Sequence, residues 1–370
     1  MGTVSEVWSG GALGISQSDN ARRLLTILHR EGPRSRAQLT TALGLNRSTV
    51  AALVIALADA QLAFERAPEL TQRAGRPSPL VSASPEVVAI AANPEVDGIR
   101  MAAIGLDGTV RLRRTIGMQT VPTPEQAADA IARTVSEWQA GALAGALMVG
   151  IGVAVPGLVR LEDGRVMFAP HLSWRDVPFA DLIAQRAGLM VEVGNDASLG
   201  ALAEHRFGAG IGHEDVVYLN GGPSGIGGGV IVRGELLRGA TGYAGEFGHL
   251  IAPFENAIDR RTASGKLEDE VNPALLAAGG AREASRQLRV FAGAVSSAIN
   301  VLDPTAVILG GGLADLVAGR RDEFSALVSS GTIRPDDAPV LIVAAALAED
   351  RLLVGAAELA FAQLLGQPGY

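Results

Sequence analysis

The sequence predicts an α/β protein in which a small winged helix-turn-helix module precedes a larger α/β body. Three observations carry that expectation. Three short helical patterns follow one another between Asn20 and Gln61, with a glycine in the turn before the third. From Pro85 onward, apolar strand-like runs alternate with amphipathic helical runs. The basic charge also gathers at one end: residues 1–80 hold nine arginines against six carboxylates, although the whole chain carries a net charge of −8.

Composition sets the outer bounds. With 370 residues, 48% hydrophobic and 19% charged, the chain can bury a large core divided over two or three domains. The absence of cysteine excludes disulfides and thiolate metal sites. The opening residues, MGTVSEVWSGGALGIS, lack the basic and apolar regions of a signal peptide, so a cytoplasmic location is expected. Residues 1–17 are rich in Gly and Ser and read as a flexible arm. Ala140 to Val159 is uncharged over the length of a membrane span. Its Ala and Gly content and its Pro156-Gly157 step instead point to a helix end, a loop and a buried strand, Val149 to Val155, so no membrane partner is expected.

The module occupies residues 18–84. Its first helix starts at Asn20, with Leu24, Leu25, Ile27 and Leu28 on one side and Arg22, Arg23 and Arg30 on the other, and stops at Gly32-Pro33. Ser35 opens the second, with Gln38 completing a capping box, and Leu43-Gly44 ends it. Asn46 opens the third, which runs to about Gln61 and is the helix suited to a DNA major groove. Arg47, Ser48 and Thr49 at its N-terminal end are the candidates to reach bases. Leu62 to Arg66 and Leu80 to Ser82 read as wing strands around a basic tip, Thr71 to Pro77. Arg73 and Arg76 there suit either a narrow minor groove or phosphates alone. The expected partner is double-stranded operator DNA.

The body opens with strands Val87 to Ala92, Ile99 to Leu106 and Val110 to Ile116, joined by turns at Asn93 to Gly98 and Asp107-Gly108. Pro156-Gly157 follows the buried strand and forms either a cleft wall or a plain turn; a polar stretch runs from there to Trp174. An amphipathic helix, Phe179 to Ala187, precedes a strand, Leu189 to Val193. Asn195-Asp196 then stands where a helix, Ala197 to Phe207, begins, which is where ligands of α/β sheets gather. The glycine run Gly225 to Gly229, between apolar segments Val216 to Leu219 and Val230 to Val232, predicts a tight loop close to a ligand. Glu246 and His249 stand three residues apart among glycines. Asn, Asp, Glu and His around one cleft suit a polyol, and hence a sugar. The chain closes with a helix Ala281 to Leu302, a strand Ala306 to Leu309, a Gly310-Gly311-Gly312 turn and a helix Leu352 to Leu365.

The segments VEVGNDASLGALAE, GIGGGVIVRGELLRGATGYAGEFGH and VLDPTAVILGGGLA resemble the ROK family of repressors, open reading frames and sugar kinases, with few gaps from Pro85 to the end. The N-terminal GPRSRAQLTTALGLNRSTVAALVIALADAQLAFE and the AGRPSP linker resemble the DNA-binding module of ROK repressors. The resemblance implies an actin-like, ribonuclease H-like domain over 85–370. Its first lobe would be about 85–194 plus 352–370, and its second about 195–351. It further implies a sugar-contacting set of Asn195, Asp196, Glu246, His249 and Glu268; Gly157, from the cleft-wall reading of Pro156-Gly157, is the sixth candidate.

The departures from the family pattern matter as much. Where ROK kinases read D-x-G-G-T-K, this chain has Asn93 in place of the metal carboxylate and Glu95 and Val96 in place of both glycines. Lost charge and lost space should abolish phosphoryl transfer, so the expectation is a non-enzymatic regulator with no ATP, and Asp196, at the family's base position, binding ligand only. A sugar kinase with an appended DNA-binding module is the alternative. Where the family carries three zinc-ligating cysteines, this chain has Asp259, Arg261 and Lys266, so no zinc is expected and a pairing of Asp259 with Arg261 or Lys266 would brace the loop instead. A homodimer or homotetramer, controlled by a sugar effector, completes the expectation.

Overall fold

The computed structural model describes residues 15–66, 79–222, 225–252, 262–272, 276–335 and 338–367. The chain divides into two compact units. One comprises Met1–Val153, Pro178–Val193 and Ala356–Tyr370; the other comprises Ala154–Val177 and Gly194–Gly355.

The first unit begins with helix α1 (Ile15–Glu31), a two-residue strand β1 (Arg34–Ser35), and helices α2 (Arg36–Leu43) and α3 (Arg47–Asp59). Local chemistry sets these boundaries. Ser35 and Gln38 form the reciprocal capping box, and Gly44 ends α2 in the left-handed conformation at φ 66°. Asn46 then starts α3, its side chain accepting from the Thr49 amide at 2.8 Å. Helices α2 and α3 meet at 112°, the angle of a helix-turn-helix. Leu24, Leu25, Leu28, Leu39, Leu53 and Leu57 are buried at their junction. Strands β2 (Ala63–Arg66) and β3 (Leu80–Ala83) pair antiparallel as wing strands, and β1 adds to the far side of β3. Two residues are too few to show a period, so β1 left no trace in the sequence. The wing tip with Arg73 and Arg76 lies outside the described residues.

From Val87 the chain forms β4 (Val87–Glu95), β5 (Gly98–Gly105), β6 (Val110–Gly117), α4 (Pro124–Ala140) and β7 (Leu147–Val155). Next come β8 (Leu158–Arg160), β9 (Arg165–Ala169), β10 (Trp174–Val177), α5 (Phe179–Ala187), β11 (Val191–Asn195) and α6 (Asp196–Phe207). The main sheet here has the order β11-β7-β4-β5-β6. The expected turn at Asn93 to Gly98 is corrected: Asn93, Pro94 and Glu95 continue β4, opposite Arg100, Ile99 and Gly98. Pairing of β4 with β7 ends at Ala92, so Pro94 sits where no donor is needed on that side. The turn shrinks to Val96-Asp97, and Glu95 pairs with Arg100 at 3.2 Å. The polar stretch after Gly157, for which the sequence names no element, forms β8, β9 and β10, an antiparallel sheet of its own.

The remainder gives β12 (Val216–Gly222), β13 (Gly225–Val232), β14 (Glu235–Leu236), α7 (Leu267–Glu270), α8 (Leu276–Leu302), β15 (Ala306–Gly311), α9 (Gly312–Ala318), α10 (Arg321–Ser330), β16 (Leu341–Ala344) and α11 (Arg351–Phe361). The second main sheet runs β14-β13-β12-β15-β16. Counted from the first strand of each, both main sheets have the order 3-2-1-4-5, with an antiparallel meander followed by a parallel strand, which is the repeated sheet of an actin-like fold. Phe291 of α8 and Phe324 of α10 stack at 5.3 Å in the core on one face of the second sheet. Among the described residues no single helix is long and apolar enough to cross a membrane.

The glycine run corrects the sequence reading most sharply. Gly225 to Gly229 is not a loop but the first half of β13, paired with Gly222 through Tyr218. Only Gly225 in it has a positive φ, 113°. The other glycines are needed for close packing. A Cβ at Gly227 would lie 2.6 Å from the Ala197 methyl, and one at Gly229 would lie 2.5 Å from Ala201, both on α6. At Gly228, on the opposite face, it would lie 2.4 Å from Phe247. Gly229→Ala is therefore expected to destabilise the protein by about 1–3 kcal/mol, from overpacking of a well-filled interior. Urea denaturation measures it.

Candidate functional site

Asn195 ends β11 and caps α6, its Oδ1 accepting from the Ser198 amide at 2.9 Å. Its Nδ2 donates to the Gly157 carbonyl at 3.0 Å, which fixes the turn after β7. Gly157 has φ 150°, and a Cβ there would lie 2.4 Å from the Phe168 carbonyl, so no other residue suits the position. Asp196 is the first residue of α6, and one carboxylate oxygen accepts from the Ala197 amide at 2.8 Å. The helix dipole favours an anion there.

The opposite wall comes from the segment after β14. Glu246 precedes a single 3₁₀ turn, Phe247–His249, whose backbone is carried on to Leu250 and Ala252. Leu250 O accepts from the Leu267 amide and Gly265 O from the Ala252 amide, both at 2.8 Å, so the two segments are laced together. His249 Nε2 consequently stands 3.5 Å from a Glu268 carboxylate oxygen. That carboxylate lies over two glycines: its Oε2 would be 2.6 Å from a Cβ at Gly225 and 2.9 Å from one at Gly248.

All six residues that the sequence puts forward for the sugar site, Gly157, Asn195, Asp196, Glu246, His249 and Glu268, line one cavity of about 380 Å³ in the second unit. The sequence reading missed Phe168, His171, Asn220 and Tyr243, which line the same cavity. Phe168 and His171 come from the unforeseen β8–β10 region, where strands of three to five residues show no clear alternation. Asn220 directly precedes Gly221-Gly222, a little upstream of the run Gly225 to Gly229, and could have been found from that position.

Electrostatics distinguish the carboxylates. Glu246 keeps more than a third of its surface open to the cavity, yet the walls withhold enough water to raise its pKa above the ordinary 4.5. The neighbouring Glu268 adds to that rise and His249 opposes it. Behind α7, Arg286 of α8 bonds the buried Glu270 and also Glu283. Burial alone would lower the Arg286 pKa, and the two carboxylates more than reverse it, so the guanidinium is charged.

A zinc of the family kind finds no fitting donor set. The chain has no cysteine, Lys266 is a cation, and among the described residues no three His, Asp or Glu are grouped to hold a metal. Asp259 and Arg261, and with them the suggested pairing, lie outside the described residues. In the N-terminal module Arg47 and Ser48 are exposed at the start of α3 and Thr49 is half-buried. The Ser48 hydroxyl donates to Asn46 at 2.7 Å.

The profile of the ROK family matches residues 95–265. A glucokinase of Streptomyces coelicolor is 31% identical, the match covering 72% of this chain and 96% of that enzyme. A xylose repressor of Bacillus subtilis is 30% identical over 64% of this chain and 61% of its own length. Among solved structures, a ROK family transcriptional regulator, a homologue of the E. coli MLC protein, superposes with a TM-score of 0.76 at 21% identity, covering 95% of this chain and 98% of that one.

The double tie of Asn195 has a measurable consequence. Asn195→Ala removes the cap and the Gly157 tie and is expected to cost about 0.5–2 kcal/mol, while Asn195→Asp, which keeps the cap acceptor, should cost less. Urea titrations of both variants check the order.

Proposed function

The chain belongs to the ROK family, and we propose that within it this protein is a sugar-responsive, DNA-binding transcriptional regulator, acting as a repressor, that does not turn its effector over. The observation that carries the reading is the joint placement of Gly157, Asn195, Asp196, Glu246, His249 and Glu268 around one cavity, in a chain that also bears a helix-turn-helix. Carboxylates accept hydrogen bonds from hydroxyls, and imidazole and amide complete a set suited to a sugar. Two copies of the chain would present two copies of α3 to a two-fold operator, with Arg47, Ser48 and Thr49 toward the bases and Arg73 and Arg76 on the wing. For a sugar to release DNA it must bind the released state more tightly, since equal affinity shifts nothing.

A kinase is the second reading, favoured by the glucokinase relative and by Asp196 on the cavity wall. Against it stands β4, where Asn93 is buried within a strand and Glu95 is engaged with Arg100, in the stretch that would have to accept phosphate. Phosphoryl transfer rests on positioning and charge, and a carboxylate in the phosphate's place opposes both.

Operator binding measured by fluorescence anisotropy, with and without a panel of hexoses, pentoses and their phosphates, tests the reading. At least one sugar should shift the wild-type affinity by tenfold or more and leave Glu246→Gln unmoved; identical curves throughout would end the effector claim. Arg47→Ala should lose about 1–3 kcal/mol of sequence discrimination. The raised carboxyl of Glu246 gives a pH signature. A hydroxyl donates a stronger, charge-assisted hydrogen bond to the ionised form, so sugar affinity should fall as pH drops toward and through a pKa that lies above 4.5. Ligand-free stability should move the other way over that window, because the folded state holds the proton more tightly than the unfolded one. Calorimetry of wild type against Glu246→Gln, which should lack the slope, checks both.

A further inference from the structure

We propose that the buried pair Glu270–Arg286 is a positioning device that sets Glu268 against the cavity, replacing with an ionic brace the zinc that the family pattern would put beside this segment. The inference rests on the sugar reading for its functional consequence, though not for its geometry.

The brace is continuous. Glu270 Oε1 accepts from the Thr262 amide at 2.6 Å and from the Thr262 hydroxyl at 2.8 Å. Glu270 Oε2 takes Arg286 Nη1 at 3.0 Å, while Arg286 Nη2 reaches the Glu270 carbonyl at 2.6 Å. The same Nη2 bonds Glu283 at 2.9 Å, and Gln287 bonds Glu283 at 3.0 Å. Gln287 also accepts from the Asn272 amide at 3.0 Å, so residues 262, 270 and 272 are all held, directly or through Arg286, and the last two are tied to α8.

Glu268 lies between these anchors on the one-turn helix α7. A one-residue slip of that turn would rotate its side chain by about 100° and take it off the cavity wall. So short a helix does not hold itself, because isolated turns are unstable without tertiary ties. The pair is placed to act: the Glu270 side chain is 0% exposed and that of Arg286 11%. Surface pairs such as Ser264 with Asp269 are exposed and hold the segment only weakly. Breaking one partner of a buried, hydrogen-bonded pair is strongly disruptive, which gives the brace its leverage.

The test uses the full chain as wild type, Glu270→Gln and Arg286→Lys. It reads sugar affinity by calorimetry, operator affinity without sugar, and amide hydrogen exchange over residues 262–272. Glu270→Gln should weaken sugar binding at least tenfold and speed exchange in 262–272, with operator affinity within twofold of wild type. Arg286→Lys keeps the charge but puts three donors on one nitrogen in place of the planar fork that reaches four oxygens of Glu270 and Glu283, and should fall between. A zinc chelator should leave wild-type sugar binding unchanged. If Glu270→Gln does not fold, Glu283→Gln carries the same test with a smaller effect in the same direction. Sugar affinity within twofold of wild type in every variant, or a wild type weakened by the chelator, would overturn the brace. A wild type that binds no sugar would sink the effector reading instead, and the brace would then stand or fall on exchange alone: faster exchange supports it and unchanged exchange overturns it.

Discussion

Two layers of chain meet on the bare backbone of β13, and the cavity exists because they can. Gly227 and Gly229 let α6 settle against one face, while Gly228 admits Phe247 and the Gly245 carbonyl on the other. The first contact delivers Asn195 and Asp196; the second delivers Glu246 and His249. Gly225 and Gly248 then leave room for the Glu268 carboxylate. A side chain at Gly227, Gly228 or Gly229 would push these layers, and the cavity-lining groups they carry, apart. Apart from Gly225, whose φ is 113°, the glycines thus act less through flexibility than by shortening the distances between the elements packed on them.

Around that strand the site is held by groups already committed to structure. Asn195 uses both ends of its amide, on the α6 cap and on Gly157, and so ties the turn after β7 to the start of α6. Buried Glu204 plays a similar part away from the cavity, accepting the amides of Ala209, Ala346 and Leu347 and fixing the approach to α11. The first unit is tied in the same manner. Buried His29 of α1 lies 2.6 Å from both the Leu106 carbonyl and the Glu358 carboxylate, which joins the helix-turn-helix to the strands and the last helix of its unit. Such fully partnered polar contacts fix relative placement, because each leaves a costly unsatisfied group if it shifts.

Much of this was legible in the sequence where the chemistry is local. Ser35 with Gln38, Gly44 and Asn46 announce helix ends through bonds spanning three or four residues, and the structure makes those bonds. The six wall residues were legible jointly, by motif and by position at strand ends. The role of the glycine run was not, because a missing Cβ looks the same whether it serves a positive φ or a close neighbour, and the neighbours of β13 come from α6 and from the segment around Phe247. Asn93 to Glu95 misled because proline usually ends a strand, and only the limit of the β7 ladder at Ala92 makes Pro94 tolerable. The Glu270–Arg286 pair spans sixteen positions and two helices, with no pattern to join them before folding.

The central claim is that the cavity senses a sugar and returns it intact. The most direct measurement incubates operator-bound protein with its sugar, ATP and Mg²⁺, follows release of the DNA, and then identifies the recovered sugar by mass spectrometry. The account expects release that follows sugar occupancy alone, with the sugar recovered unphosphorylated. Sugar phosphate accumulating beyond one equivalent of protein would contradict it.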